Sequence, residues 1–151
     1  MSLTPDQQQA LDIQNQGRTN KSLQPLQWDP KVAQDAQAWA QHLASVVGHL
    51  QHSAGDQRPG EGENLFWALA KPGPYKDPFT HAAQSWMNEA AMYQPGEKIG
   101  QGNLADYGHY TQCMWSTTTQ VGMGSATDSQ GGVYIVGRYS PPGNIVGQAP
   151  Y

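Results

Sequence analysis

Charge is scarce in this chain, and the little there is never clusters. Charged residues make up 13% of the 151 positions, against about 25% in an ordinary soluble domain. The eight Lys and Arg form no run, and the formal net charge is −4. A nucleic-acid backbone or a strongly anionic membrane recruits clustered cations, so neither is expected as the main partner. Cysteine is almost absent too: Cys113 stands alone, so no disulfide can close within the chain. That suits a reducing cytosol, yet secreted proteins also fold without bridges, and the compartment stays open on this count. No apolar run approaches the roughly 20 residues of a membrane span. The opening MSLTPDQQQ lacks the apolar stretch of a signal peptide, and Ser2 stands where myristoylation needs glycine. A removed leader with an added methionine would look the same. The shortage of charge, lysine above all, leans towards secretion.

What the chain has instead is aromatic bulk and backbone punctuation: five Trp, seven Tyr, 17 Gly and 11 Pro. The length predicts one domain over residues 1–151, with core enough to need no staple. TPDQ marks a first helix, in which Thr4 caps, Pro5 enters the first turn and Gln7 closes a capping box, ending near Gly17. In DPKVAQDAQAWAQHLASVVG, Asp29 caps and Pro30 opens a second helix. Its apolar stripe is Val32, Ala36, Trp39, Leu43 and Val46, and Gly48 supplies a left-handed stop. DPFTHAAQSWMNEAAMY repeats the start signal at Asp77 and Pro78, with a stripe of Phe79, Ala82, Trp86, Ala90 and Tyr93. Between these two, GHLQHSAGDQRPGEGEN is too irregular for a regular element. GHYTQCMW reads as a short helix; QVGMGSA and GGVYIVGRYS, separated by TDSQ, read as an antiparallel hairpin; PPGNIVGQAPY runs out as a tail. Helices followed by late strands predict an α+β fold, with helices covering an antiparallel sheet.

Some polar groups fall where apolar ones belong. Glu89 lies three residues after Trp86 and four before Tyr93, on the face expected to be buried. A buried carboxylate needs donors, a cation or a water-filled cleft. Glu63, in GEGENLFWA, sits just ahead of an apolar run in the same way. Five histidines are available as partners. His42 and His81 lie among polar neighbours and are expected in solvent, which leaves His49, His52 and His109. Two imidazoles and two carboxylates converging on a cleft can hold a divalent metal or carry acid–base chemistry. Spacing alone does not choose between these roles and a structural one.

The order QHS, GENLFWA, SWMNE, GHYTQCMW and YIVGRYSPPGN resembles the CAP superfamily, which takes in cysteine-rich secretory proteins, venom antigen 5 and plant pathogenesis-related proteins of group one. PLQWDPKVAQDAQAWA matches the family's early helix, so the resemblance covers nearly the whole chain. It implies a three-layer α-β-α sandwich with a central antiparallel sheet. It also implies a cleft carrying His52 of QHS, Glu63 of GEN, Glu89 of WMNE and His109 of GHYTQ. The histidines would be direct ligands of zinc, and the glutamates would act through water or hydrogen bonds. Gly137 and Met123 stand at frequent cysteine sites of secreted members, and Gln14 replaces a common histidine. The cysteine-free hairpin resembles the Golgi-associated members, whereas the polar QHSAGDQRPGEGENL segment resembles secreted fungal ones. Cys113 fills a position that is usually aliphatic and is expected as a small buried hydrophobe.

Three functions follow from the resemblance as expectations. The first is a non-enzymatic binder of sterol or another small lipid, with transient membrane contact, working as a monomer or weak homodimer. Its lipid loop would carry Tyr93, Pro95, Ile99, Leu104 and Tyr107. The second is a metal-dependent hydrolase, peptidase-like, with Glu63 or Glu89 as base beside zinc. The third is a defence- or virulence-related interaction module that uses the C-terminal segment.

Overall fold

A computed structural model describes residues 2–70 and 73–151. The first helix, α1, spans Pro5–Asn20 and carries the expected Thr4–Gln7 capping box, running one turn beyond Gly17. A short strand β1 (Gln27–Trp28) leads into α2 (Pro30–His42), where Asp29 caps the N–H groups of Lys31 and Val32. Then follow β2 (Gly62–Leu69), α3 (Pro78–Asn88), α4 (Leu104–Cys113), β3 (Gln120–Thr127) and β4 (Gly132–Ser140). The sheet order is β1-β3-β4-β2. The three long strands are antiparallel, and the two-residue β1 joins β3 in parallel, so the sheet is mixed. The strand β2 is one that periodicity did not announce. Its first four residues are buried on both faces, so no alternation shows in the sequence.

Helix α2 covers one face of the sheet, burying Ala36, Trp39 and Ala40, with Leu43 just beyond its end, against Leu65, Tyr134 and Val136. The approach is close because Gly122 and Gly124 lie beneath it: a Cβ at either would collide with the backbone of Ala33 or Gln37. On the other face, Ala10 of α1, Ala82, Ala83 and Trp86 of α3, and Cys113 of α4 pack on Val121, Met123, Val133, Ile135 and Tyr139. These layers make the α+β sandwich.

Three local expectations are corrected. Val46 is exposed, not part of the α2 stripe. After His42 the helix widens into a π turn over Leu43–Val47, closed by Gly48 N–H donating to Leu43 O, and the extra residue rotates Val46 off the sheet. Gly48 itself is left-handed, as expected. Asp77 does not cap α3; its own backbone is left-handed. Asp6 of α1 caps instead, accepting from Phe79 N at 3.0 Å and Thr80 N at 2.9 Å. The stripe of α3 also stops early: a 3-10 turn over Glu89–Met92 leaves Ala90 exposed, and Tyr93 reaches the core from extended backbone.

Candidate functional site

Strands β2 and β4 place the first half of the site. Their register sets Glu63 opposite Arg138, both on the face that α2 covers. The Glu63 side chain is fully buried. Its Oε2 accepts from Arg138 Nε at 2.8 Å and Ser53 Oγ at 2.7 Å, and its Oε1 accepts from Ser53 N at 2.9 Å. The same Oε1 lies 2.8 Å from His52 Nδ1. Burial alone would push the Glu63 carboxyl up, but the hydrogen bonds from His52 and Ser53 and the Arg138 charge hold it below the ordinary range. Arg138 also reaches Glu61 Oε1 at 2.9 Å. Glu61 behaves oppositely: burial and the neighbouring Asp35 carboxyl raise its own above the ordinary value against the pull of Arg138.

The end of α3 and the middle of α4 place the second half. Glu89 stands where α3 gives way to its 3-10 turn. Its Oε1 accepts two successive backbone N–H groups, His109 at 3.0 Å and Tyr110 at 3.1 Å. Its Oε2 lies 2.6 Å from His109 Nδ1. The imidazole stacks on Trp86, with planes 16° apart and centroids at 6.1 Å. Trp86 is fixed in turn by donating its indole N–H to Leu65 O at 3.1 Å. Asn64 Nδ2 donates to His109 O at 3.0 Å and so ties α4 to β2.

His52 and His109 line one cavity of about 450 Å³, together with Glu63 and Asn64. Leu104, Ala105 and Pro142 supply apolar wall, and Arg58 stands at the side. Glu89 does not line the cavity but holds His109 from behind. In each pair Nδ1 faces a carboxylate, so Nε2 is the nitrogen left for a ligand. Among the described residues no group of three His, Cys, Asp or Glu stands ready to hold a metal. A metal here would rest on the two imidazoles, with its remaining positions open to water or ligand.

The other candidates separate. His49 and His42 are exposed, and His81 is exposed beside Tyr75 Oη at 2.8 Å. Of the lipid-loop residues, Tyr93, Ile99 and Tyr107 are buried with Tyr110, Met114 and Trp115, and Pro95 is exposed away from them. Leu104 alone of the five faces the cleft. Cys113 is fully buried, and burial pushes its thiol up to about 12, so it is a core residue and not a nucleophile. Gln14 is buried and accepts from Tyr139 Oη at 2.7 Å. Gly137 lies tight against Trp86: a Cβ there would press on the ring at 3.0 Å. Residue patterns missed Arg138 and Ser53. The signal for Arg138 was present, since it is the sole charged residue in the apolar strand GGVYIVGRYS.

The fold and the sequence agree in their likenesses. A solved structure of NaASP2 with Zn2+ superposes with a TM-score of 0.83, covering 99% of this chain and 86% of that one at 24% identity, a likeness of fold. Pathogenesis-related protein 1C of Nicotiana tabacum is 36% identical over 96% of this chain and 80% of its own length. The human Golgi-associated plant pathogenesis-related protein 1 is 32% identical over 93% of this chain and 85% of its own. The pattern of the CAP, or cysteine-rich secretory protein, family matches residues 11–139. The chain therefore belongs to the CAP family.

Proposed function

We propose that this CAP domain works by binding rather than by turnover, and that its cleft takes a divalent metal, zinc first, on His52 and His109. One observation carries the reading: two histidines lining one cavity each have Nδ1 engaged by a glutamate. That arrangement fixes the ring and its tautomer and leaves Nε2 for coordination, as carboxylates behind zinc-bound histidines do. Zinc in a fold neighbour supports the choice of metal. A bound zinc would supply a Lewis-acidic centre with open positions.

The chain's own residues favour binding over hydrolysis. Glu63 accepts four hydrogen bonds, which fill its acceptor sites, and Glu89 accepts three and does not line the cavity, so neither carboxylate is placed to serve as a base. The lipid reading rests on Leu104, Ala105 and Pro142, which give the same cavity an apolar side. A sterol at the loop itself would require Tyr93 and Tyr107 to leave the core, where their hydroxyls donate to Glu97 O and Oε2 at 2.6 and 2.7 Å. The secretory pathway or the extracellular space is the compartment in this reading, in keeping with the names its relatives carry.

The test is a calorimetric zinc titration near neutral pH beside His52→Ala and His109→Ala. One ion per wild-type chain, lost in both variants, is the expected result. Equal binding by the variants would make the histidines structural.

A further inference from the structure

Arg58 is the cleft's unmatched cation. Its Nε donates to Ser53 O at 3.2 Å and its Nη1 to Glu61 O at 3.0 Å, so the guanidinium is clamped between the two ends of one loop. Its Nη2 makes no hydrogen bond among the described residues, and none of their carboxylates lies within 4.0 Å of it. The contrast with the other arginines is sharp. Arg138 faces two carboxylates. Arg18, wholly buried, gives Nε, Nη1 and Nη2 to carbonyl oxygens. Arg58 alone is half-buried, fixed by two carbonyls and left with a spare donor; it stands on the wall between the His52/His109 cleft and a neighbouring cavity lined by Asp35 and Glu61.

We propose that the His52/His109 cleft binds a small organic carboxylate whose oxygens are gripped by the Arg58 guanidinium. The inference rests on the reading of this cleft as a ligand site and adds the class of ligand. A planar guanidinium held on one side by carbonyls offers a fork that matches a carboxylate, and a half-buried cation gains most from an anion that shares its desolvated site. The cavity's volume, about 450 Å³, suits a small molecule. Leu104, Ala105 and Pro142 give room for a short alkyl chain. Glu63, the carboxylate on this cavity's wall, has Arg138 at 2.8 Å, a cation that it shares with Glu61. Zinc, if held by the two imidazoles, would add a second cationic centre to the same cavity.

Calorimetry with hexanoate, on zinc-free and zinc-loaded protein, tests the proposal. Hexanoate should bind wild type, and hexanamide, its uncharged analogue, should bind at least about tenfold more weakly. Arg58→Gln should weaken hexanoate by a similar factor, and Arg58→Lys, which keeps the charge without the fork, should fall between. Melting curves show whether each variant is folded, and the hexanamide comparison needs wild type alone. Equal binding of acid and amide, absence of hexanoate binding in both zinc states, or full binding by a folded Arg58→Gln would overturn the proposal. Zinc titrated alone reads the metal separately. Arg58-dependent hexanoate binding without zinc binding would remove the metal and keep the carboxylate.

Discussion

The His52–Glu63 and His109–Glu89 pairs hold the same two groups at 2.8 and 2.6 Å on different foundations. Glu63 is fully buried and is matched by a charge, Arg138, across the sheet. Its histidine is the exposed member, with 57% of the side chain in solvent. Glu89 keeps 19% of its side chain exposed and is matched by backbone N–H groups, while its histidine is packed on Trp86. In the first pair the carboxylate is the buried, anchored member, and the exposed imidazole is held by its hydrogen bond to Glu63. In the second the ring itself is anchored. Loss of charge compensation should therefore damage the fold on the first side, whereas on the second it should damage mainly the ligand geometry.

The largest effect should come from Arg138→Met, which strands Glu63 and Glu61 without their cation. Breaking a buried pair costs roughly 3–5 kcal/mol, readable as a lower urea midpoint. Glu89→Gln, whose oxygen can still accept from His109 and Tyr110, should cost about 1 kcal/mol or less. Equal losses in the two variants would break the comparison. Next in size, Glu89→Gln should weaken zinc about 10–100-fold by loosening the tautomer and orientation of His109. A calorimetric titration reads this, and unchanged affinity would mean that Trp86 stacking alone orients the ring.

The smallest effect is the pH dependence, and the two carboxylates on Arg138 pull it in opposite directions. Glu63 is lowered in the fold, so its contribution is present above the ordinary value of 4.5 and is lost as pH falls through its folded value below that. Glu61 is raised, so its contribution is complete below 4.5 and is lost as pH rises through its higher folded value. Urea midpoints measured across this range should fall less on acidification in Glu63→Gln than in wild type. Glu61→Gln should make the fall steeper. Identical slopes in the three proteins would contradict the assignment.

How much of this was legible follows from how local each cause is. The Thr4 capping box, the Asp29 cap and the β3–β4 hairpin depend on neighbours in sequence, and they could be read there. Glu89 stood out because a carboxylate on an apolar face demands donors. The donors themselves, in α4, could not be seen. The cap of α3 comes from Asp6, some seventy positions away, which no local pattern contains. The π turn that exposes Val46 breaks the period on which stripe reading relies. Strand β2 hid because its first four residues are buried on both faces and the exposed positions of its second half, Trp67 and Leu69, are apolar as well. Arg138 was readable in principle, since one charge within an apolar strand asks for a buried partner. Its answer, Glu63, sat in the segment read as irregular up to GEN.

The proposed metal site takes Nε2 of His52 and Nε2 of His109 as its two protein ligands. Long-range nitrogen–proton NMR spectra of the histidine side chains during a zinc titration test this most directly. Both Nε2 signals should move together and saturate at one equivalent, with Nδ1 remaining protonated in both rings and His42, His49 and His81 undisturbed. Movement of only one of the two rings, or two separate saturation points, would contradict a shared site.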